Sequence, residues 1–299
     1  MATRAGRGFD GLRVIAFESR RASDMRRLIE KHGGDPLVVP SMREVPPASN
    51  HAALTFATDL DAGGFAIVIF LTGVGARALA AIIEPVMSSE RFIAALARTT
   101  VVARGPKPTA ALREIGLTTV VPVPPPHTWR EVLHTVDAMA NRVPIGHRRV
   151  AVQEYGVSNQ DLLAGLRDRG ADVTPVTVYE WALPEDTSEL GDAVMAIVRQ
   201  ECDVLLFTTS AQVHHMIEIA RRLDVVADLR RACASLIVAS IGPTTTETLL
   251  DYGLPCDLEP SRPNMGLLVL EAASRSPWLK DTKGINLSSA PLRRRAIRA

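Results

Sequence analysis

Aromatic side chains are scarce, at 4% of the 299 residues, which leaves little to build the base-stacking platforms of single-strand-binding proteins. Charge is balanced, with a formal net of +1, so the excess of cations that carries non-specific nucleic-acid binding is missing, and no nucleic-acid partner is expected. The three cysteines, Cys202, Cys233 and Cys256, are odd in number and form no C-x-x-C pair; that argues against a disulfide framework and against a zinc site, and fits a reducing cytoplasm. The N-terminal stretch MATRAGRGFDGLRVIAF has no apolar run ending in a small-residue cleavage site, so no secretory signal is read. The most membrane-like window, FAIVIFLTGVGARALAAII at 65–83, holds Arg77 near its centre and two glycines. A buried parallel strand running into a helix explains it without lipid.

What the chain does have is an internal repeat. Shifted by 136 to 137 residues, LRVIAFESRRASDMRRLIEKHGGD faces RRVAVQEYGVSNQDLLAGLRDRGAD, FAIVIFLTG faces CDVLLFTTS, and GPKPTAALREIGL faces GPTTTETLLDYGL. A constant offset over three blocks marks a duplication. Each block reads as a short apolar strand, a polar turn, an amphipathic helix and a glycine or proline stop. Continuously hydrophobic strands alternating with helices indicate a parallel sheet covered on both faces. The fold expected is α/β: two similar parallel-sheet domains.

The segments PLVVPSMREVPP (36–47) and VTPVTVYEWALP (173–184) are extended, proline-bounded and alignable with each other. Read as crossover strands, they make a two-stranded linker. Residues 1–40 and 180–274 then form a first, discontinuous domain, residues 41–179 a second, and the aperiodic stretch 275–299 a disordered tail. Open parallel sheets bind ligands beyond the carboxyl ends of their strands, so a ligand cleft is expected where the strand-to-helix turns of the two domains face each other.

Several motifs weigh little. Gly73, Gly75 and Ala78 fit G-x-G-x-x-A after a strand, the outline of a dinucleotide fingerprint, but the next strand ends in Arg104 and Gly105 where an acidic residue would hold a ribose. GPKPT lacks the phosphate-loop spacing. His214 and His215 are adjacent, so on a helix they point apart and cannot clamp a metal. No pair of carboxylates has a setting that would separate two pKa values.

What recurs is a hydroxyl or amide residue at the turn into each helix: Ser19, Thr72, Ser158, Asn159, Thr209, Ser210, Thr244, Thr245, Thr246 and Asn264. These are favoured N-cap types, and Thr244-x-x-Glu247 and Ser158-x-x-Asp161 both fit a capping box. Helix N-termini with short hydroxyls also bind anions. A polyanionic ligand is expected, with Arg20, Arg21, Arg77, Lys107 and Arg262 as cationic supplements.

Taken together, Ser19-Arg20 after the first strand, FLTG (70–73) and FTTS (207–210), V-x-V-Y (Val176 to Tyr179), I-G-P-T-T-x-x-x-L (Ile241 to Leu249) and the closing L-E-P-S-R-P-N-M-G-L-L resemble the uroporphyrinogen-III synthase family over residues 10–273. The resemblance implies two α/β domains on a two-stranded linker. It implies a cofactor-free lyase reaction, in which the linear tetrapyrrole hydroxymethylbilane loses water and closes with inversion of its last pyrrole ring. Tyr179 is then the residue expected to assist departure of the hydroxyl. Ser19, Arg20, Thr72, Lys107, Ser158, Thr209, Ser210, Thr244, Thr245 and Asn264 are expected to bind the substrate, in a monomer with no membrane association. The chain departs from the family at Gln153-Glu154-Tyr155, where an arginine and a glycine are usual, and at Gly73 and Asn264, where hydroxyls are usual. A ligand-binding sensor without turnover is the alternative those departures raise.

Overall fold

A computed structural model describes residues 8–45, 50–154, 156 and 158–283. The chain divides into two compact units, Met1–Arg43 with Ala182–Ala299 and Glu44–Trp181. It opens with β1 (Arg13–Ala16), α1 (Ala22–Lys31) and β2 (Asp35–Val38) of the first unit, then β3 (Arg43–Val45). The second unit follows with α2 (His51–Asp61), β4 (Ile67–Phe70), α3 (Gly73–Ile83), α4 (Ser89–Ala97), β5 (Thr100–Ala103), α5 (Pro106–Glu114), β6 (Val121–Pro122), α6 (Trp129–Ala138), β7 (Arg149–Glu154), α7 (Gln160–Asp168) and β8 (Asp172–Thr177). Strand β9 (Glu180–Ala182) pairs with β3 in a separate two-stranded sheet. The first unit is completed by α8 (Ser188–Val198), β10 (Val204–Phe207), α9 (Ser210–Arg222), α10 (Val226–Ala234), β11 (Ile237–Ser240), α11 (Pro243–Asp251) and α12 (Met265–Lys283).

The sheets repeat one design. In unit 1 the order is β2-β1-β10-β11, all parallel, with Leu258 bridging to Ala239 where a fifth strand would lie. In unit 2 it is β8-β7-β4-β5-β6, also parallel throughout. Numbered in chain order, unit 1 runs 2-1-3-4-5, counting the Leu258 bridge as the fifth strand, and unit 2 runs 3-2-1-4-5; the two orders coincide once β7 and β8 are counted first, as the repeat aligns them with β1 and β2. Both are doubly wound, with the direction of winding reversing between the central strands. That switch falls between β1 and β10 in unit 1 and between β7 and β4 in unit 2.

Period-two alternation along these all-apolar strands sends successive side chains to opposite faces. Ile15, Phe17, Leu205 and Phe207 pack under α8, α9, α10 and α11, while Val14, Ala16, Val204 and Leu206 pack under α1 and α12. In unit 2, Val68, Phe70 and Val101 face α2 to α5, and Ile67, Ile69, Val150 and Val152 face α6 and α7. Burial of each valine, leucine, isoleucine or phenylalanine among them contributes about 1.5–3 kcal/mol. This is why both faces of the sheet are covered and why the strands carry no polar alternation.

The C-terminal stretch corrects one expectation. Helix α12 runs through Lys283, well past the point where a structureless tail was expected to begin. Pro277 breaks the hydrophobic period, but Ser276 and Leu279 are buried. The Lys283 ammonium donates to Asp257 Oδ2 at 2.6 Å and to the Leu236 carbonyl at 2.7 Å, which ties down the last turn. The remainder of that expected tail lies outside the described residues.

Candidate functional site

The strand ends nearest each switch point are the places a ligand would be sought. In unit 1, β1 runs into Phe17-Glu18-Ser19. The Glu18 carboxylate accepts from Thr208 Oγ1 at 2.6 Å and from the Arg21 N–H at 3.1 Å, joining the ends of β1 and β10. Gln212 closes the same turn, its Oε1 accepting from the Thr208 N–H at 2.6 Å and its Nε2 donating to Thr208 Oγ1 at 2.8 Å. Neither Glu18, Thr208 nor Gln212 stood out in the sequence.

Ser19 does not cap α1. Its Oγ accepts from the N–H groups of Ser41 and Met42, each at 3.1 Å, and so fastens the crossing segment to unit 1. His215, buried on α9, holds the same segment through Nδ1 and the Ser41 carbonyl at 2.7 Å. His214 turns away to the Tyr252 hydroxyl at 2.9 Å. Arg20 is exposed at this turn, and Arg21 pairs with Asp24 at 2.8 Å.

At α11 the N-cap position belongs to Gly242, with Pro243 opening the helix, so Thr244 lies inside the first turn and makes no capping box. Thr246 is engaged, donating to Glu259 Oε2 at 2.6 Å and sharing a 2.5 Å hydrogen bond with Ser240 Oγ. The hydroxyls of Thr244, Thr245, Thr209 and Ser210 form no hydrogen bond among the described residues, which leaves four short donors at the starts of α9 and α11. Thr245 is 3% exposed. Asn264 caps α12 through its Oδ1 and the Leu267 N–H at 3.1 Å, and Arg262 is exposed two residues before it.

In unit 2, Thr72 caps α3, accepting from the Gly75 N–H at 3.0 Å. Gly73 and Gly75 are fixed by close packing: a Cβ at Gly75 would meet Gln153 Nε2 at 2.1 Å, and one at Gly73 the Lys107 carbonyl at 2.6 Å. Arg77 is taken up by Glu114 at 2.7 Å, which removes it from the cationic supplements. Lys107 is exposed in the first turn of α5.

Ser158 is likewise no cap. Asn159 accepts from the Leu162 N–H at 2.9 Å, while Ser158 Oγ donates to Glu154 Oε1 at 2.8 Å. Glu154 is 4% exposed, and the same oxygen accepts from the Asn159 N–H at 3.1 Å. It is the counterpart of Glu18 at an offset of 136, and both carboxylates shape a turn by accepting from it. Of the departures Gln153-Glu154-Tyr155, Tyr155 lies outside the described residues. Tyr179 is half-buried against the helices α2 to α5, and its carbonyl accepts from the Gly156 N–H at 2.9 Å. A pocket of about 260 Å³ opens beside it, lined by Glu154, Gly156, Ser158, Thr177, Glu180 and Trp181.

Arg104 received no role from the sequence beyond its mismatch with the fingerprint. It directly follows β5, half-buried, and its Nε donates to the Leu71 carbonyl at 3.2 Å. Its counterpart in unit 1 is Ile241. A comparison of the two repeats at this position is the signal that could have found it.

Fold and strand ends define a duplicated, doubly wound α/β protein. The chain belongs to the uroporphyrinogen-III synthase HemD family, whose model matches residues 23–269. It is similar to a mutant uroporphyrinogen III synthase from the extremely thermophilic bacterium Thermus thermophilus, at 25% identity, a TM-score of 0.71 and coverage of 90% of this chain and 100% of that one. The wild-type enzyme in a second crystal form matches at 25% identity and a TM-score of 0.58, over 91% of this chain and 100% of that one. Among curated proteins it is similar to the uncharacterized protein YjjA of Bacillus subtilis, 27% identical over 274 residues, 90% of this chain and 97% of that one. No helix among the described residues is long and apolar enough to cross a membrane.

Proposed function

We propose that this protein is a uroporphyrinogen-III synthase, a lyase that converts hydroxymethylbilane to uroporphyrinogen III and water. The observation that carries the reading is the pair Thr244-Thr245, whose hydroxyls at the start of α11 are unengaged among the described residues, within the I-G-P-T-T motif of a chain belonging to this family. The substrate carries eight carboxylates. The N–H groups at the starts of α9 and α11, the hydroxyls of Thr209, Ser210, Thr244 and Thr245, and the Lys107 ammonium are groups that bind carboxylates by many modest contacts.

The chemistry asks for little acid strength. The hydroxymethyl oxygen takes a proton and departs as water, and the pyrrole nitrogen lone pair stabilises the cation left behind. The enzyme's task is to hold the last ring so that it closes inverted, through a spiro intermediate, ahead of the spontaneous uninverted closure. Such orientation supplies a large part of a barrier reduction without any strong base. Tyr179 is assigned the proton delivery at the departing hydroxyl. Thr72, Ser158, Asn264, Ser19 and Arg20 act behind the ligand contacts, the first four through the turns they fasten.

Purified protein incubated with hydroxymethylbilane, with the products oxidised and the isomers separated, tests the reading. The type III isomer is expected to dominate, and Thr245→Val to lower turnover at least about tenfold, the scale of one lost hydrogen bond to a charged group. Type I product alone would overturn the synthase reading. A sensor without turnover is favoured by one observation, the carboxylates Glu18 and Glu154 at both switch points, and saturable tetrapyrrole binding beside type I product alone would establish it.

A further inference from the structure

Among the described residues, Arg104 is a guanidinium without an acid. Its side chain makes one hydrogen bond among the described residues, from Nε to the Leu71 carbonyl at 3.2 Å. No carboxylate among those residues ion-pairs with it, whereas Arg77 on the neighbouring helix is matched by Glu114. Burial alone pulls its pKa down from the usual arginine value, with no neighbouring charge contributing. An arginine stays protonated even so, and a partly desolvated cation left without a counter-charge is costly. Its terminal nitrogens are not among the sealed, partnerless atoms of the described residues, so they remain within reach of a ligand.

The place is specific. The bond to Leu71 lays the guanidinium across the carboxyl end of β4, next to Thr72 and the N-terminus of α3, with Lys107 three residues further along the chain. Anion-attracting groups thus come from two successive strand ends of one sheet. We infer that Arg104 is a carboxylate-binding residue, which clamps one side-chain carboxylate of the ligand through its two terminal nitrogens. The identity of the ligand as a polycarboxylate tetrapyrrole rests on the function proposed above; the assignment of Arg104 as the anion contact rests on unit 2 alone. Planar, bidentate recognition of a carboxylate is what a guanidinium offers and a threonine or lysine does not. Ile241 at the equivalent position makes this contact a property of unit 2 only.

The test measures binding of uroporphyrin III, the stable oxidised octacarboxylate, to the full chain over a range of salt concentrations. Arg104→Gln is expected to raise the Kd about tenfold or more and to flatten its dependence on salt, because one charge contact is gone. Arg104→Lys is expected to keep the salt dependence and recover part of the affinity. It also serves as the informative variant should Arg104→Gln melt well below the wild type. A Kd and salt dependence unchanged in Arg104→Gln would overturn the inference, as would a wild type that binds no uroporphyrin at any salt. The two proposals separate cleanly: type III product with unaltered binding in Arg104→Gln leaves the synthase standing without this contact. Type I product alone, together with weakened binding in Arg104→Gln, leaves the contact standing without the synthase.

Discussion

The two units share an order of strands and fill the same positions with different chemistry. Where unit 1 has Phe17 on β1's end and Gln212 on α9, unit 2 has Gln153 on β7 and Gly75 on α3. Phe17 stacks on Phe207 with ring centroids 5.4 Å apart, and Gln212, on the helix, satisfies both atoms of its amide on Thr208. In unit 2 the amide comes from the strand and lies against Gly75; its Nε2 donates to the Glu154 carbonyl at 2.7 Å, and its Oε1 is buried without a partner among the described residues. Duplication preserved the need for one buried amide beside the switch point but not the element that delivers it. Phe17 on the strand goes with a long helix residue, Gln153 with a glycine. The same divergence separates Ile241 from Arg104 and Thr244 from Lys107, so the hydroxyl-rich turn belongs to unit 1 and the cationic turn to unit 2.

The largest contrast to break is electrostatic. Arg13 and Asp203, 4% and 3% exposed, join the starts of β1 and β10 through an Nε–Oδ2 contact of 3.0 Å and an N–H bond of 2.8 Å to the same carboxylate. Arg149, the counterpart of Arg13, pairs instead with Asp59 at 2.8 Å near the surface. Asp203→Ala strands a buried guanidinium and should cost about 3–5 kcal/mol, against less than about 1 kcal/mol for Asp59→Ala. Urea unfolding checks both values. All three cysteines are free and lie in unit 1, and burial raises the thiol pKa of Cys202 and lifts that of Cys233 to about 12. Labelling of Cys202 and Cys233 along the same titration therefore follows the opening of unit 1 separately.

The amide exchange makes the second prediction. Gly75→Gln alone forces two amides into one place and should cost about 1–3 kcal/mol. Combined with Gln153→Phe it rebuilds the unit 1 arrangement, and the double variant should recover at least about 1 kcal/mol relative to the sum of the singles. Simple additivity in a denaturation cycle would mean that the two positions are not coupled.

The smallest contrast concerns the glycines that start α5 and α11. Gly105 has φ of 92° and a Cβ there would lie 3.1 Å from the His127 ring, while Gly242 is extended at φ of 168° with its nearest neighbour, Pro263 Cβ, at 3.6 Å. Gly105→Ala should destabilise by about 1–3 kcal/mol, and Gly242→Ala should stay within about 0.5 kcal/mol of the wild type. Equal melting-temperature shifts for the two would contradict this reading of the turn.

Most of the fold was legible because duplication and hydrophobic period are local. FAIVIFLTG against CDVLLFTTS fixed two strands and two helix starts, and the uninterrupted apolar runs announced sheets covered on both faces. Helix α12 was missed past Ser274 because Pro277 interrupts the pattern, while the contacts that hold its end, from Lys283 to Asp257 and Leu236, are distant in sequence. At the site, residue type was a good guide and role a poor one. Ser19 and Ser158 have the chemistry of caps, yet Ser19 is spent on Ser41 and Met42 and Ser158 on Glu154. Glu18 was passed over because a lone acid in a turn carries no pattern; its meaning comes from Thr208, 190 residues away.

By itself the sequence determined the number of repeats, the strand and helix periods, and the family, since each is written in the order and spacing of neighbouring residues. Tertiary structure alone decided which polar groups remain available. Thr245 and Thr246 are adjacent and chemically identical, but Thr246 is consumed by Ser240 and Glu259 and Thr245 is not. Arg77 and Arg104 are equal cations in the sequence, and only packing gives one an acid and leaves the other without one among the described residues. Hydrogen-bond and charge pairing are satisfied across the fold, between groups that neither period nor propensity brings together, so the ligand-facing chemistry is whatever that pairing leaves over.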